Sequence, residues 1–169
     1  MLVSGISPVA QAQTVEEHEA KAAFVLKLIN FVQWPVESSL HSSNLVIGIV
    51  GTDATSDALQ RLAASGKSID GRPIVVRRLS GDGNLKACQV IFIGASERKN
   101  ASVLLERVRG ASVLTVGDLD GFGQHGGMIN LTLEGGRIHL EVNPHAAERA
   151  HLQISSRLLA LAKIVRDGT

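Results

Sequence analysis

The chain has 169 residues, 44% hydrophobic and 20% charged, an ordinary globular composition with room for one domain and its core. Seventeen basic residues stand against 16 acidic ones, for a formal net charge of +1, and neither sign forms a long run. Binding to phosphate backbones needs a clustered excess of Lys and Arg, and four Phe, one Trp and no Tyr offer little for base stacking, so nucleic acid is excluded as a partner.

Residues 1–13 carry no charge and end in Ala10-Gln11-Ala12-Gln13, a small-x-small pattern of the kind signal peptidase cleaves. They read as the remnant of an export signal or as a disordered N-terminus, ahead of a domain over 14–169. Thr14 and Glu17 form a capping box, and Ala20, Ala23, Phe24, Leu28, Phe31 and Val32 repeat at helical spacing, which predicts a helix over 15–32. Trp34-Pro35 ends it, because the proline ring disfavours helical geometry in the preceding residue. Leu45–Val50 is short, apolar throughout and rich in β-branched residues, the pattern of a strand covered on both faces at the sheet's middle. Thr52 to Ser56 supplies caps for a short helix carrying Ala58, Leu59, Leu62 and Ala63 and ending near Gly66.

Strands are predicted over 73–79, 89–93 and 112–116, with Leu104, Leu105 and Val108 marking the helix between the last two. Strand, helix, strand in this rhythm implies right-handed crossovers and a largely parallel sheet. Segments 128–134 and 137–143 are separated only by Gly135-Gly136, so they pair as an antiparallel hairpin. Ile129, Leu131, Leu133, Ile138, Leu140 and Val142 face one way. Asn130, Thr132, Glu134, Arg137, His139 and Glu141 face the other, so one face of the ribbon is expected to be wet. Asn143-Pro144 caps a short helix through about Ala150. An extended link at 152–154 follows, and Ser155 caps a last helix bearing Leu158, Leu159, Leu161, Ala162 and Val165. The predicted fold is a single-domain α/β three-layer sandwich. Its sheet is mixed but mostly parallel, with helices on both faces and a C-terminal antiparallel hairpin. No window offers the roughly 20 consecutive apolar residues that cross a bilayer.

Chemical motifs are sparse. Gly51-Thr52-Asp53 follows a strand where open α/β sheets bind ligands, but it lacks GxGxxG and the phosphate-loop Lys, and reads as an ordinary strand-to-helix turn. The six histidines include no HExxH and no close Cys/His group, so no metal site or cofactor is expected. Ser96 and Ser155 lack a GxSxG elbow, and catalysis is not expected. Cys88 is the single cysteine, which forbids an intramolecular disulfide. Beside Val90–Ile93 it reads as a small buried hydrophobe. The loop from Gly121 to Gly127 holds four glycines together with Phe122 and His125. Phe122 either folds back to cap the sheet or stands out as an anchor for a partner. Glu134, Arg137, His139 and Glu141, joined by Arg149 and His151, are either a solvated sheet edge or an array recognising a small zwitterion or a partner's charged rim.

The order of Val113–Asp118, Gly121-Phe122, Gly126–Glu134, Arg137–Asn143 and Ile154–Leu159 resembles the YfiR family. Lys21–Phe24, Phe31–Pro35, Ile47–Val50, Gly71–Ile74 and Cys88–Ile93 extend that resemblance over nearly all of the chain after residue 15. It implies an exported periplasmic protein without catalytic turnover that represses an inner-membrane diguanylate cyclase by binding its periplasmic sensor region and lowers cyclic di-GMP signalling. It further implies an outer-membrane lipoprotein as third component and a homodimer. Redox-sensitive members carry paired cysteines. Cys88 matches one such position and its partner is absent, leaving at most a cross-link between two chains. His151 stands where relatives often have glycine, so that turn is expected to be tight. The alternative from another class is a periplasmic small-molecule binding module serving a transporter or sensor, its ligand unspecified.

Overall fold

The computed structural model describes residue 5, residues 8–39 and residues 42–168. α1 spans Pro8–Leu28 and runs through a 3-10 turn at Ile29–Phe31 into β1 (Val32–Gln33). The helix begins almost two turns before the predicted capping box. Thr14 lies inside it, with Oγ1 donating to Gln11 O at 2.8 Å. Pro8 is pre-set for a first helical position, and the alanines and glutamines after it propagate the helix readily. Part of the expected export remnant is therefore helical, while Met1–Ser4, Ile6 and Ser7 lie outside the described residues.

The remaining elements alternate as expected, with three additions. α2 (Val36–Ser39), β2 (Leu45–Val50) and α3 (Ala54–Ala63) lead to β3 (Ser68–Ile69) and β4 (Arg72–Arg78). β5 (Val90–Ile93), α4 (Ala101–Val108), β6 (Leu114–Gly117), β7 (Ile129–Glu134) and β8 (Arg137–Val142) follow. The chain closes with α5 (Pro144–Arg149), β9 (Gln153–Ile154), α6 (Ser156–Leu161) and β10 (Lys163–Ile164). β3 was not foreseen. It folds back on β4 through Asp70-Gly71, whose φ values of 51° and 74° are those a two-residue primed turn requires. β1 and β9 pair antiparallel and form a small sheet of their own. β10 replaces the expected last turns of the final helix, because Val165 N–H donates to Val142 O at 2.9 Å and draws the chain alongside β8.

The main sheet has the order β10-β8-β7-β6-β5-β2-β4-β3. Pairings are parallel except within the β3/β4 and β7/β8 hairpins. β2 is buried at every position, as its composition predicts, but it lies to one side of the centre, which β5 and β6 occupy. The chain leaves β2 outward to β4 and returns across it to β5, so the later strands accumulate on one side. Alternate residues serve two cores. Ile47, Ile49, Val90, Phe92, Leu114 and Val116 pack beneath α1, α3 and α5. Val46, Val50, Ile91 and Ile93 pack beneath α4 together with Phe122.

Two buried polar features pin this arrangement. Lys21 of α1 is only 5% exposed, and its Nζ donates to Asp118 Oδ1 at 2.9 Å and lies 2.8 Å from Glu17 Oε1. Burial pulls the Lys21 ammonium down, but hydrogen bonds and attraction from Glu17 and Asp118 outweigh it and hold its pKa above the ordinary lysine value. Cys88 is free and buried, as expected, and burial pushes its thiol up while Arg77 opposes the shift. The Cys88 sulfur is covered by packed side chains, so a cross-link between chains would require this core to open.

Candidate functional site

The hairpin closes through Gly135 and Gly136, with φ of 57° and 76°, so that Glu134 pairs Arg137, Thr132 pairs His139 and Asn130 pairs Glu141. Its polar face is not uniformly wet. Glu134, Arg137 and His139 at the tip are exposed, but Asn130 at the base is 0% exposed. The Asn130 amide donates to Leu119 O at 2.6 Å and accepts from Leu119 N–H at 3.1 Å, which clamps the segment after β6 across the ribbon. Glu141 beside it is half-buried and accepts from the exposed Lys163 at 3.3 Å. The loop from β6 to β7 folds over the polar side and removes water from its lower half.

Phe122 is the keystone of that loop and not an exposed anchor. It is 1% exposed, and a Cβ at Gly117 or Gly127 would stand only 2.6 or 2.3 Å from its ring carbons. Those glycines exist to admit the ring, and Gly127 N–H donates to Phe122 O at 2.9 Å. Burying the ring removes more apolar area from water than any contact at the loop tip would. His125 stays exposed on the same loop.

A cleft of about 360 Å³ opens between this loop, α4, α5 and the C-terminal tail. Met128 and Thr115 line it together with Glu106, Arg109, His125 and Arg149. The tail supplies Asp167, which pairs with Arg149 at 2.8 Å and accepts from Asn143 Nδ2 at 2.6 Å. Partial burial pushes the Asp167 carboxyl up, but Arg149 and Asn143 prevail and hold it below the ordinary aspartate value. Arg109 pairs with Glu106 at 2.8 Å, so the cleft wall alternates in charge. A second, more open groove of about 830 Å³ runs between α1 and the hairpin tip, past Glu16, Glu17, Phe24, Leu133, Arg137 and Ile138.

The predicted array is thus split among different places. His125 and Arg149 meet at the cleft, Arg137 lines the groove, and Glu134 and His139 project from the hairpin tip. Phe122 belongs to the packed interior, and Glu141 is half-buried at the base of the ribbon. His151 ends α5 with φ of 59°, the left-handed conformation that glycine adopts more easily, as its position implied. Gly51-Thr52-Asp53 forms a strand-to-helix turn, as read from the sequence. Asp53 caps α3 through Ser56 N–H at 3.0 Å and packs so closely on Gly94 that a Cβ there would lie 1.8 Å from Oδ2. Among the described residues no group of three or more His, Cys, Asp and Glu could hold a metal ion. No helix among them is long and apolar enough to cross a membrane.

Sequence reasoning missed Glu106, Arg109 and Asp167 in the cleft and the Lys21–Asp118 pair. Asp167 had no local signal, since the tail read as helix. Asp118 could have been found only as an acidic residue ending a buried strand.

Comparison with known proteins supports this architecture. A family model described as YfiR/HmsC-like matches residues 18–163. No curated protein matches. Among solved structures, a conserved domain protein from Vibrio cholerae O1 biovar El Tor strain N16961 is similar at a TM-score of 0.61 and 15% identity, over 87% of this chain and 59% of that one. An ABC domain in complex with L-Trp from Streptococcus pneumonia is similar at a TM-score of 0.52 and 7% identity, over 71% of this chain and 55% of that one. The chain therefore spans less than two thirds of either solved protein, and at these identities the likeness shows the fold alone.

Proposed function

The chain belongs to the YfiR/HmsC-like family, and from that premise we propose that it is a periplasmic regulator that represses an inner-membrane diguanylate cyclase by binding its periplasmic sensor region. The observation that carries this reading is the span of the family match, which runs from α1 to β10 and so takes in both cores and the hairpin. Repression needs no catalysis by the regulator. A protein that binds the inactive arrangement of the cyclase more tightly than the active one shifts the population by that difference in affinity, about tenfold for each 1.4 kcal/mol. Export of the chain, pairing of two copies and a third, lipoprotein component belong to the same proposal. Glu134, Arg137 and His139 are proposed contact residues, since they are exposed on one rigid ribbon.

The test is the cyclic di-GMP level in cells carrying the cyclase, with and without the regulator, after its export has been verified by fractionation. A fall in cyclic di-GMP is expected. Unchanged levels beside an exported, folded protein would overturn the proposal.

A second reading, a small-molecule binding module, is favoured by the cleft at His125, Arg149 and Asp167 and by the fold shared with a domain solved in complex with L-Trp. A metabolite that raises the melting temperature of the native protein, but not of Arg149→Ala, would support it.

A further inference from the structure

The end of the sheet opposite the hairpin carries an unfilled strand position, legible in the parity of the backbone hydrogen bonds. Just past β4, Leu79 N–H donates inward to Ile49 O, at the end of a parallel register that runs from Leu45↔Ile74 to Ile49↔Arg78. Successive residues of a strand turn their N–H and C=O to opposite sides, so Val75, Arg77 and Leu79 bond to β2 while Ile74, Val76 and Arg78 point away from it. Ile74 N–H confirms the parity by donating outward to Lys67 O at 3.1 Å. β3 then stops, covering only Arg72 and Pro73. Beyond it the outward N–H and C=O of Val76 and Arg78 have no partner among the described residues. Ile74, Val75 and Val76 are only half-buried, where every residue of β2 beside them is buried.

The charge around this edge selects its occupant. Lys67, Arg77 and Lys86 are exposed, and none makes an ion pair among the described residues. Arg77 alternates with Val76 and Arg78 and so shares a face with Leu79, which packs against the Cys88 core, and Lys86 lies in the turn that leads into Cys88. Arg78 is different, being committed to Asp57, Gln60 and Gly51 O. A second copy of this chain is disfavoured, because a twofold pairing through Val76 and Arg78 would bring two Arg77-Arg78 pairs into one short ladder. An acidic strand gains on both counts, pairing the open backbone groups and the three free cations.

We propose that β4 accepts an extended acidic segment of a partner protein as an added strand, bonded to Val76 and Arg78 and neutralised by Lys67, Arg77 and Lys86. The inference rests on the reading that this protein acts by binding another protein, and it adds a strand-pairing contact at the far end of the sheet from Glu134, Arg137 and His139. Hydrogen exchange at single amides tests it, with three samples of the full chain: alone at two concentrations, with the cyclase's periplasmic region, and with a synthetic peptide alternating glutamate and valine. The amides of Val76 and Arg78 are expected to exchange fast in the free protein and to slow at least about tenfold with either probe. The double variant Arg77→Glu, Lys86→Glu should lose that protection while keeping its melting temperature.

Protection by the peptide without binding of the cyclase region would keep the added strand and remove the cyclase reading. Binding of the cyclase region with protection elsewhere, and none from the peptide, would leave the cyclase reading standing and overturn the added strand. Absence of protection with both probes overturns it as well. So does protection that appears only on raising the protein's own concentration, which would assign the edge to a second copy.

Discussion

At the hairpin end of the sheet β8 is flanked by β10, and the tail beyond it is tied down by Asp167 to Arg149 and Asn143 and by Gly168 N–H to Gln124 O at 2.8 Å. At the other end β4 is flanked by two residues of β3, and Val76 and Arg78 keep their outward groups unpaired among the described residues. Both ends consist of short strands beside a hairpin. They differ in whether later chain returns to cover them. Residues 118–127 and 163–168 return to the base of the hairpin and cover it, while its tip stays exposed. The chain leaves β4 for β5, and among the described residues no later strand returns to it. Stability is therefore expected to concentrate at the base of the hairpin, while the hairpin tip and the β4 edge both stay open to partners.

Substitutions that test this contrast rank by what they remove. Phe122→Ala empties the space beneath Gly117 and Gly127 and should cost about 3–5 kcal/mol in urea denaturation. A cost below about 1 kcal/mol would mean that the loop is not the keystone of its end. Asn143→Ala removes the cap on Ala146 N–H and the bonds to Gly123 O and Asp167, and about 1–2 kcal/mol should be lost by the same measurement. His151→Gly relieves the left-handed φ and is expected to raise stability by about 0.5–1 kcal/mol, read as a higher melting temperature.

Asp167→Asn makes the contrast dependent on pH. The Asp167 carboxyl is held below its ordinary value in the folded state, so its stabilisation is complete above the unfolded pKa and is lost as pH falls through the folded one. Native protein and variant should differ by a constant amount near neutrality and converge below the ordinary aspartate range. A difference that persists in acid would place the effect elsewhere. Arg77→Glu, at the open end, should change stability by no more than about 0.5 kcal/mol. A larger loss would show that β4 depends on that side chain for its fold.

Much of the fold was legible because its signals are local. Leu45–Val50 declares a buried strand through composition alone, Gly135-Gly136 admits only a tight hairpin, and Asn143-Pro144 carries both the cap and the pre-set φ of a helix start. Two local signals were misread. Thr14 and Glu17 match a capping box that a longer helix overrode, and Asp70-Gly71 marks a hairpin that passed as an ordinary strand start. The candidate site was less legible, because alternation along β7 and β8 gives the direction of a side chain and says nothing of what covers it. Asn130 and Glu134 share one face, yet the first is sealed under Leu119 and the second meets water.

Sequence by itself determined the element types, the hairpin, the parallel rhythm and the family, since periodicity, turn chemistry and short motifs act over a few neighbouring residues. Only tertiary structure decided that Phe122 faces inward, that Asp167 meets Arg149, that β10 pairs the base of β8 and that β3 leaves the end of β4 unpaired. Each of those outcomes is a competition for burial and hydrogen bonds between segments far apart in the chain, and no local pattern records which segment wins.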